Sequence, residues 1–148
     1  METNTNKNTV LTEEQRSLVE RIRNRKDISR KDELPILDLP VNVRKEIFEK
    51  YIFYLKRNYA YCLRDSTYKE LLKRAKTDAN MRELLSVYVY HSAGWIELDK
   101  ALLDYPDEVR FAWLKGYVNS KPYSPIARVV KMLPKDIQEG IFDEKKFY

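Results

Sequence analysis

The sequence predicts an all-α fold, a compact single-domain bundle of six to eight helices organised around one long amphipathic helix at about residues 40–64. Three observations carry this expectation. Between Leu39 and Arg64 the apolar residues Val43, Ile47, Phe48, Tyr51, Ile52, Leu55, Tyr59 and Cys62 recur at steps of three and four, which places them on one stripe of a helix. Arg44, Lys45, Glu49, Lys56, Arg57 and Arg64 fall on the opposite face. Glycine occurs only 3 times in 148 residues, so the turn-dense composition of an all-β domain is missing. A hydrophobic share of 43% supplies a core, and charged residues at 34% suit the outer faces of helices.

Residues 1–11 are polar and without periodicity, so they are expected to form a flexible N-terminal arm ahead of a single helical domain at 12–148. Thr12 and Gln15 have the spacing of a capping box and should start the first helix, whose apolar stripe is Leu18, Val19 and Ile22. Glu33 to Leu39 reads as an extended connector, because Pro35 and Pro40 each push the preceding residue out of helical geometry. Its Leu34, Ile36, Leu37 and Leu39 should lie against the core. Beyond the long helix, Thr67 and Glu70 form a second capping-box pattern for a helix to about Lys76, with Leu71, Leu72 and Ala75 inward.

Thr77 or Asp78 should cap the next helix, which uses Met81, Leu84, Leu85 and Tyr88. It is expected to continue through the strand-prone Val87–Tyr90, since no second strand exists to pair with it. Gly94 is the expected stop, Trp95 to Leu103 the following helix, and Val109, Trp113 and Tyr117 the inner face of the one after Pro106. SKPYSP at 120–125 is the clearest loop. Two short helices should finish the chain, Pro125 to Met132 and Pro134 to about Glu139, with Gly140 as a C-cap.

The run Leu39, Pro40, Val43, Ile47, Phe48 (LPxxVxxxIF) resembles the opening of an F-box, a short helical module, and that resemblance implies docking on a ligase adaptor. It covers about ten residues, with Cys62 and Leu71-Leu72 as further partial matches. The spacing then slips after Phe48, and no tryptophan stands near the module's expected end. The same LP…IF pattern recurs at Leu133, Pro134, Ile137, Ile141 and Phe142, as two proline-started helices with one apolar face would produce independently.

The net charge of +5 lies wholly in the first half: 17 Lys and Arg against 12 Asp and Glu in residues 1–74, and 11 against 11 in residues 75–148. Arg16, Arg21, Arg23, Arg25, Lys26, Arg30 and Lys31 crowd the segment 13–31, which makes a nucleic-acid-binding helix one of two expected functions. The other, preferred, is a non-catalytic protein-interaction or self-assembly module. Phe53, Tyr54 and Tyr61 are aromatics left over from the core stripe, and Phe147 and Tyr148 load the C-terminal tail; tyrosine and phenylalanine in such places suit protein contacts.

An enzyme is not expected. His91 is the only histidine, Ser92 lacks a GxSxG setting, the glycines are isolated from any phosphate-cradling motif, and Asp99, Asp104, Asp107 and Glu108 are what a helix start prefers. No cofactor, metal or membrane partner is implied. The single cysteine, Cys62, points to a reducing, cytoplasmic setting. Lys, Asn and Tyr usage typical of AT-rich coding sequence points to a virus or phage accessory or structural protein.

Overall fold

Every regular element among the described residues of this computed structural model, 10–24, 30–51, 63–92 and 100–142, is helical. The chain is therefore all-α, and eight α-helices are described. They are distributed over two compact units, Met1–Lys69 and Glu70–Tyr148.

In the first unit, helix α1 (Glu13–Arg23) starts at the expected capping box. The Gln15 N–H donates to Thr12 Oγ1 (3.0 Å) and the Thr12 N–H donates to Gln15 Oε1 (3.1 Å), so two otherwise orphaned donors are satisfied. Leu18, Val19 and Ile22 are buried. The helix stops at Arg23, where the Asn24 N–H donates to the carbonyls of Glu20 and Ile22. Helix one is thus shorter than the basic segment 13–31, whose far end, Arg30–Asp32, is a separate 3₁₀ turn.

The connector is not extended. Glu33–Ile36 forms a short helix, α2, and a turn follows to Leu39. Pro35 occupies its third position, where the missing N–H has no intrahelical acceptor to lose, so the proline is tolerated. Ile36, Leu37 and Leu39 are buried as expected, but Leu34 is 46% exposed.

Helix α3 (Val41–Glu46) follows Pro40 and widens into a π-turn at Ile47–Tyr51, with Ile47 and Phe48 buried. Arg44 departs from its expected outer face. It is buried, and its Nη1 donates to the carbonyls of Leu37 (3.2 Å) and Leu39 (3.1 Å), tying the turn to α3. Residues 52–62 of the expected long helix lie outside the described residues, and Leu63 and Arg64 are already non-helical.

Helix α4 (Asp65–Ala75), whose residues from Glu70 onward belong to the second unit, begins two residues before the predicted Thr67 cap. Glu33, itself buried, accepts the Arg64 N–H at 2.8 Å, and Arg64 O accepts the Tyr68 N–H. Thr67 is consequently a buried first-turn residue, and Glu70 pairs with Arg74 at 2.8 Å instead of reaching back. Leu71, Leu72 and Ala75 are buried as expected.

In the second unit Asp78 caps helix α5 (Ala79–Ser92), its Oδ1 accepting the Asn80 N–H at 2.9 Å. Val87–Tyr90 is helical. Met81, Leu84, Leu85, Ser86, Val87, Tyr88, Val89 and Ser92 are all buried, so α5 is covered on nearly every side. Gly94 and the start of the helix expected from Trp95 lie outside the described residues; the described end of that segment, Lys100–Asp104, is a 3₁₀ turn.

Helix α6 (Asp107–Ser120) packs on α5 with Ala112 and Gly116 at the contact, and Val109 and Trp113 are buried as expected. A Cβ on Gly116 would overlap the carbonyl oxygen of Ser86 and lie 2.9 Å from Val89 Cβ. Beside it, Ser86 Oγ donates to the Ala112 carbonyl at 2.7 Å. Helices α7 (Pro125–Val130) and α8 (Lys135–Ile141) close the unit over a cluster of Val118, Ala127, Val130 and Ile141. Gly140 is an exposed residue inside α8, not its C-cap.

Three substitutions test this packing by chemical denaturation. Gly116→Ala should lose about 1–3 kcal/mol or more, because backbone blocks the new methyl group. Gly140→Ala, whose Cβ meets nothing within 4 Å, should gain about 0.5–1 kcal/mol. Ile47→Ala should lose about 2–5 kcal/mol as a large-to-small change in a buried site.

Candidate protein interface

The segment Lys121–Lys135 contains four cations, Lys121, Arg128, Lys131 and Lys135, and no Asp or Glu. It folds as the α7 half of a helical hairpin. Ser124 opens α7 as an N-cap, its Oγ accepting the Ala127 N–H at 3.2 Å, and Pro125 takes the first helical position. Ala127 and Val130 turn into the cluster beneath. The helical period then leaves Arg128 and Val129 outside, with Met132 on the turn that follows. Val129 is 61% exposed, Met132 84%, and Tyr123 in the preceding loop 83%.

Side-chain donors hold this frame by satisfying carbonyls at helix ends. Gln138 Nε2 of α8 donates to Lys131 O (2.9 Å) and Leu133 O (2.7 Å) at the end of α7. Asn119 Nδ2 of α6 donates to Ile141 O (2.7 Å) at the end of α8. Lys131 Nζ donates to Pro122 O at 3.1 Å and lies 5.6 Å from the centre of the Tyr123 ring, near enough for a cation–π attraction. The result is a braced hairpin that shows apolar side chains among positive charges over residues 121–135, while α8 adds the exposed acids Asp136 and Glu139.

The residues singled out from the sequence belong to other segments of the chain. Arg21 pairs with Asp32 at 3.2 Å and Arg23 with Glu46 at 2.6 Å, and the hydrogen bond to Glu46 raises the Arg23 pKa. Two of the proposed phosphate-binding cations are therefore engaged by carboxylates of their own unit. Arg16 and Lys31 are exposed, Arg30 opens the 3₁₀ turn, and Arg25 and Lys26 lie outside the described residues. So do Phe53, Tyr54, Tyr61, Phe147 and Tyr148. Asp107 and Glu108 stand in the first turn of α6, as the helix-start reading expects, and Asp107 pairs with Arg110. Among the described residues no group of three or more His, Cys, Asp or Glu is placed to hold a metal ion, and no helix is long and apolar enough to cross a membrane.

A charge balance over half the chain conceals this segment; the available signal is that no acid occurs between Glu108 and Asp136. Comparison with protein-family models, curated proteins and solved structures finds no match.

His91, half-buried on α5, has its pKa lowered from the ordinary 6.5 by burial, which penalises the charged ring. Below pH 6.5 the unfolded chain therefore takes up a proton that the folded chain resists. The stability His91 contributes is complete above that pH and is lost as pH falls through 6.5 toward the lower folded value. Urea midpoints measured between about pH 5 and 7.5 should fall on acidification more steeply in the wild type than in His91→Gln.

Proposed function

We propose that the chain is a non-catalytic protein-interaction or assembly module which docks an acidic, partly apolar protein surface through the α7–α8 hairpin. One observation carries this reading: Tyr123, Val129 and Met132 stand exposed among four cations with no acid in the segment, on a hairpin whose helix ends are hydrogen-bonded in place. Apolar side chains ringed by one sign of charge gain by burial against a partner of the opposite sign, and the charges set orientation and rate of encounter. Nucleic acid fits less well. The aliphatic Val129 and Met132 neither stack on bases as aromatic rings do nor contact phosphate, and Arg21 and Arg23 are paired within the chain. A virus or phage accessory or structural role is the setting we propose from the Lys, Asn and Tyr usage.

The test is a fluorescence-anisotropy titration with a labelled amphipathic helical peptide carrying Glu and Leu faces, a Gln-for-Glu version of it, and mixed-sequence DNA and RNA. The acidic peptide should bind, more weakly as salt rises, and the neutral peptide should bind at least about tenfold worse. Val129→Asp with Met132→Asp should abolish binding without lowering the melting temperature, since both side chains are exposed. Tighter binding to nucleic acid, lost in Arg16→Glu with Lys31→Glu and retained in the Val129/Met132 variant, would overturn the reading in favour of a nucleic-acid binder.

A further inference from the structure

The first unit carries a groove with the chemistry that the hairpin lacks. It opens between α1 and the α2 turn, with a volume of about 940 Å³, and Leu18, Leu34 and Pro35 give it an apolar floor. That is room for several large side chains, at the upper end of ligand-sized cavities. Leu34, expected against the core, lies instead half-exposed in this groove. The rim is acidic: Glu13, Glu14, Asp32 and Asp38 line it against one cation, Arg21, which pairs with Asp32.

We infer that this groove receives the α7–α8 hairpin of a second copy of the chain. The inference rests on the hairpin being the docking surface. Apolar Tyr123, Val129 and Met132 match the apolar floor, and Lys121, Arg128, Lys131 and Lys135 match the carboxylate rim. A symmetric contact of hairpin with hairpin would set four cations against four, offset only by Asp136 and Glu139 of α8, and groove with groove would oppose two acidic rims. Like-charge juxtaposition of that kind is unfavourable. The complementary pairing is head-to-tail, so each bound copy still offers one groove or one hairpin, and assembly proceeds to a ring or an open filament.

Sedimentation velocity of the full chain over a range of concentrations, at low and high salt, tests this, alongside the acidic-peptide titration. Weight-average mass should grow with concentration at low salt and fall back toward the monomer at high salt. Arg128→Glu with Lys135→Glu should abolish the growth, and so should Glu13→Lys with Glu14→Lys. Mixing these two charge-reversed proteins should restore it, because each reversed surface then meets its complement. Glu13 and Glu14 also favour the start of α1, so Leu34→Lys, which alters the floor alone, serves as a second groove variant and should be monomeric while remaining helical by circular dichroism. A wild type that stays monomeric at every concentration, variants that assemble like wild type, or a mixture that stays monomeric would each overturn the inference. A monomer that still binds the acidic peptide sinks only the self-assembly; a monomer that does not bind it sinks the docking reading as well.

Discussion

The approach of α5 and α6 at Gly116 is the constraint on which the second unit depends. On α6, Ala112 and Gly116 are one turn apart on the same face, and α5 meets them with Ser86. Without a Cβ at 116, the Ser86 carbonyl comes within reach of the glycine, and the Ser86 hydroxyl is satisfied by the Ala112 carbonyl instead of being left dry. Close seating of this kind lets α5 be buried on nearly every side despite its strand-prone residues. Leu114, Tyr117 and Val118 of α6 pack with Ala127 and Val130 of α7 and Ile141 of α8.

The first unit solves a different problem, that of turning the chain sharply between short helices without leaving backbone groups dry. Burying a charge is costly unless hydrogen bonds compensate it. Arg44 and Glu33 offset part of that cost by serving backbone: Nη1 of the guanidinium donates to the carbonyls of Leu37 and Leu39, and the carboxylate accepts the Arg64 N–H. Each leaves about 1–3 kcal/mol of unsatisfied-group penalty avoided. These two residues join α2 to α3 and to the start of α4, so charged side chains here specify the path of the chain.

What could be read from sequence was what depends on neighbours a few residues away. The Thr12–Gln15 box, the Asp78 cap and the helical state of Val87–Tyr90 are of that kind. So is the echo of Leu39-Pro40 in Leu133-Pro134, where both prolines cap a helix with almost the same backbone, φ −54° and ψ 150° or 149°. The errors came from partners distant in sequence or from position within a turn. Thr67 and Glu70 have a capping-box spacing, but Glu33, 31 residues earlier than Arg64, secures the helix start before they can. Pro35 breaks a helix interior, yet as a third residue it breaks nothing. Gly116 and Gly140 look alike in sequence; only the helix opposite tells the indispensable one from the replaceable one. Periodicity assigns Arg44 outward, because it records side-chain polarity and not the demand of nearby carbonyls.

Charge shows the same dependence on scale. The first half carries the whole excess of +5, yet the first unit presents a groove with an acidic rim and engages Arg21 and Arg23 in pairs with Asp32 and Glu46. The second half sums to zero because residues 121–135 hold four of its eleven cations and none of its eleven acids, leaving the remainder at seven against eleven. A binding partner responds to charges within about 10 Å, the screening length near 0.1 M salt, and not to the sum over seventy residues. Over residues 121–135 the sign is uniform until Asp136 and Glu139 of α8, and Val129, Met132 and Tyr123 supply apolar area, whereas on α1 the cations are partly cancelled at contact distance. The proposed docking surface therefore falls in the half of the chain that a coarse charge balance marks as neutral.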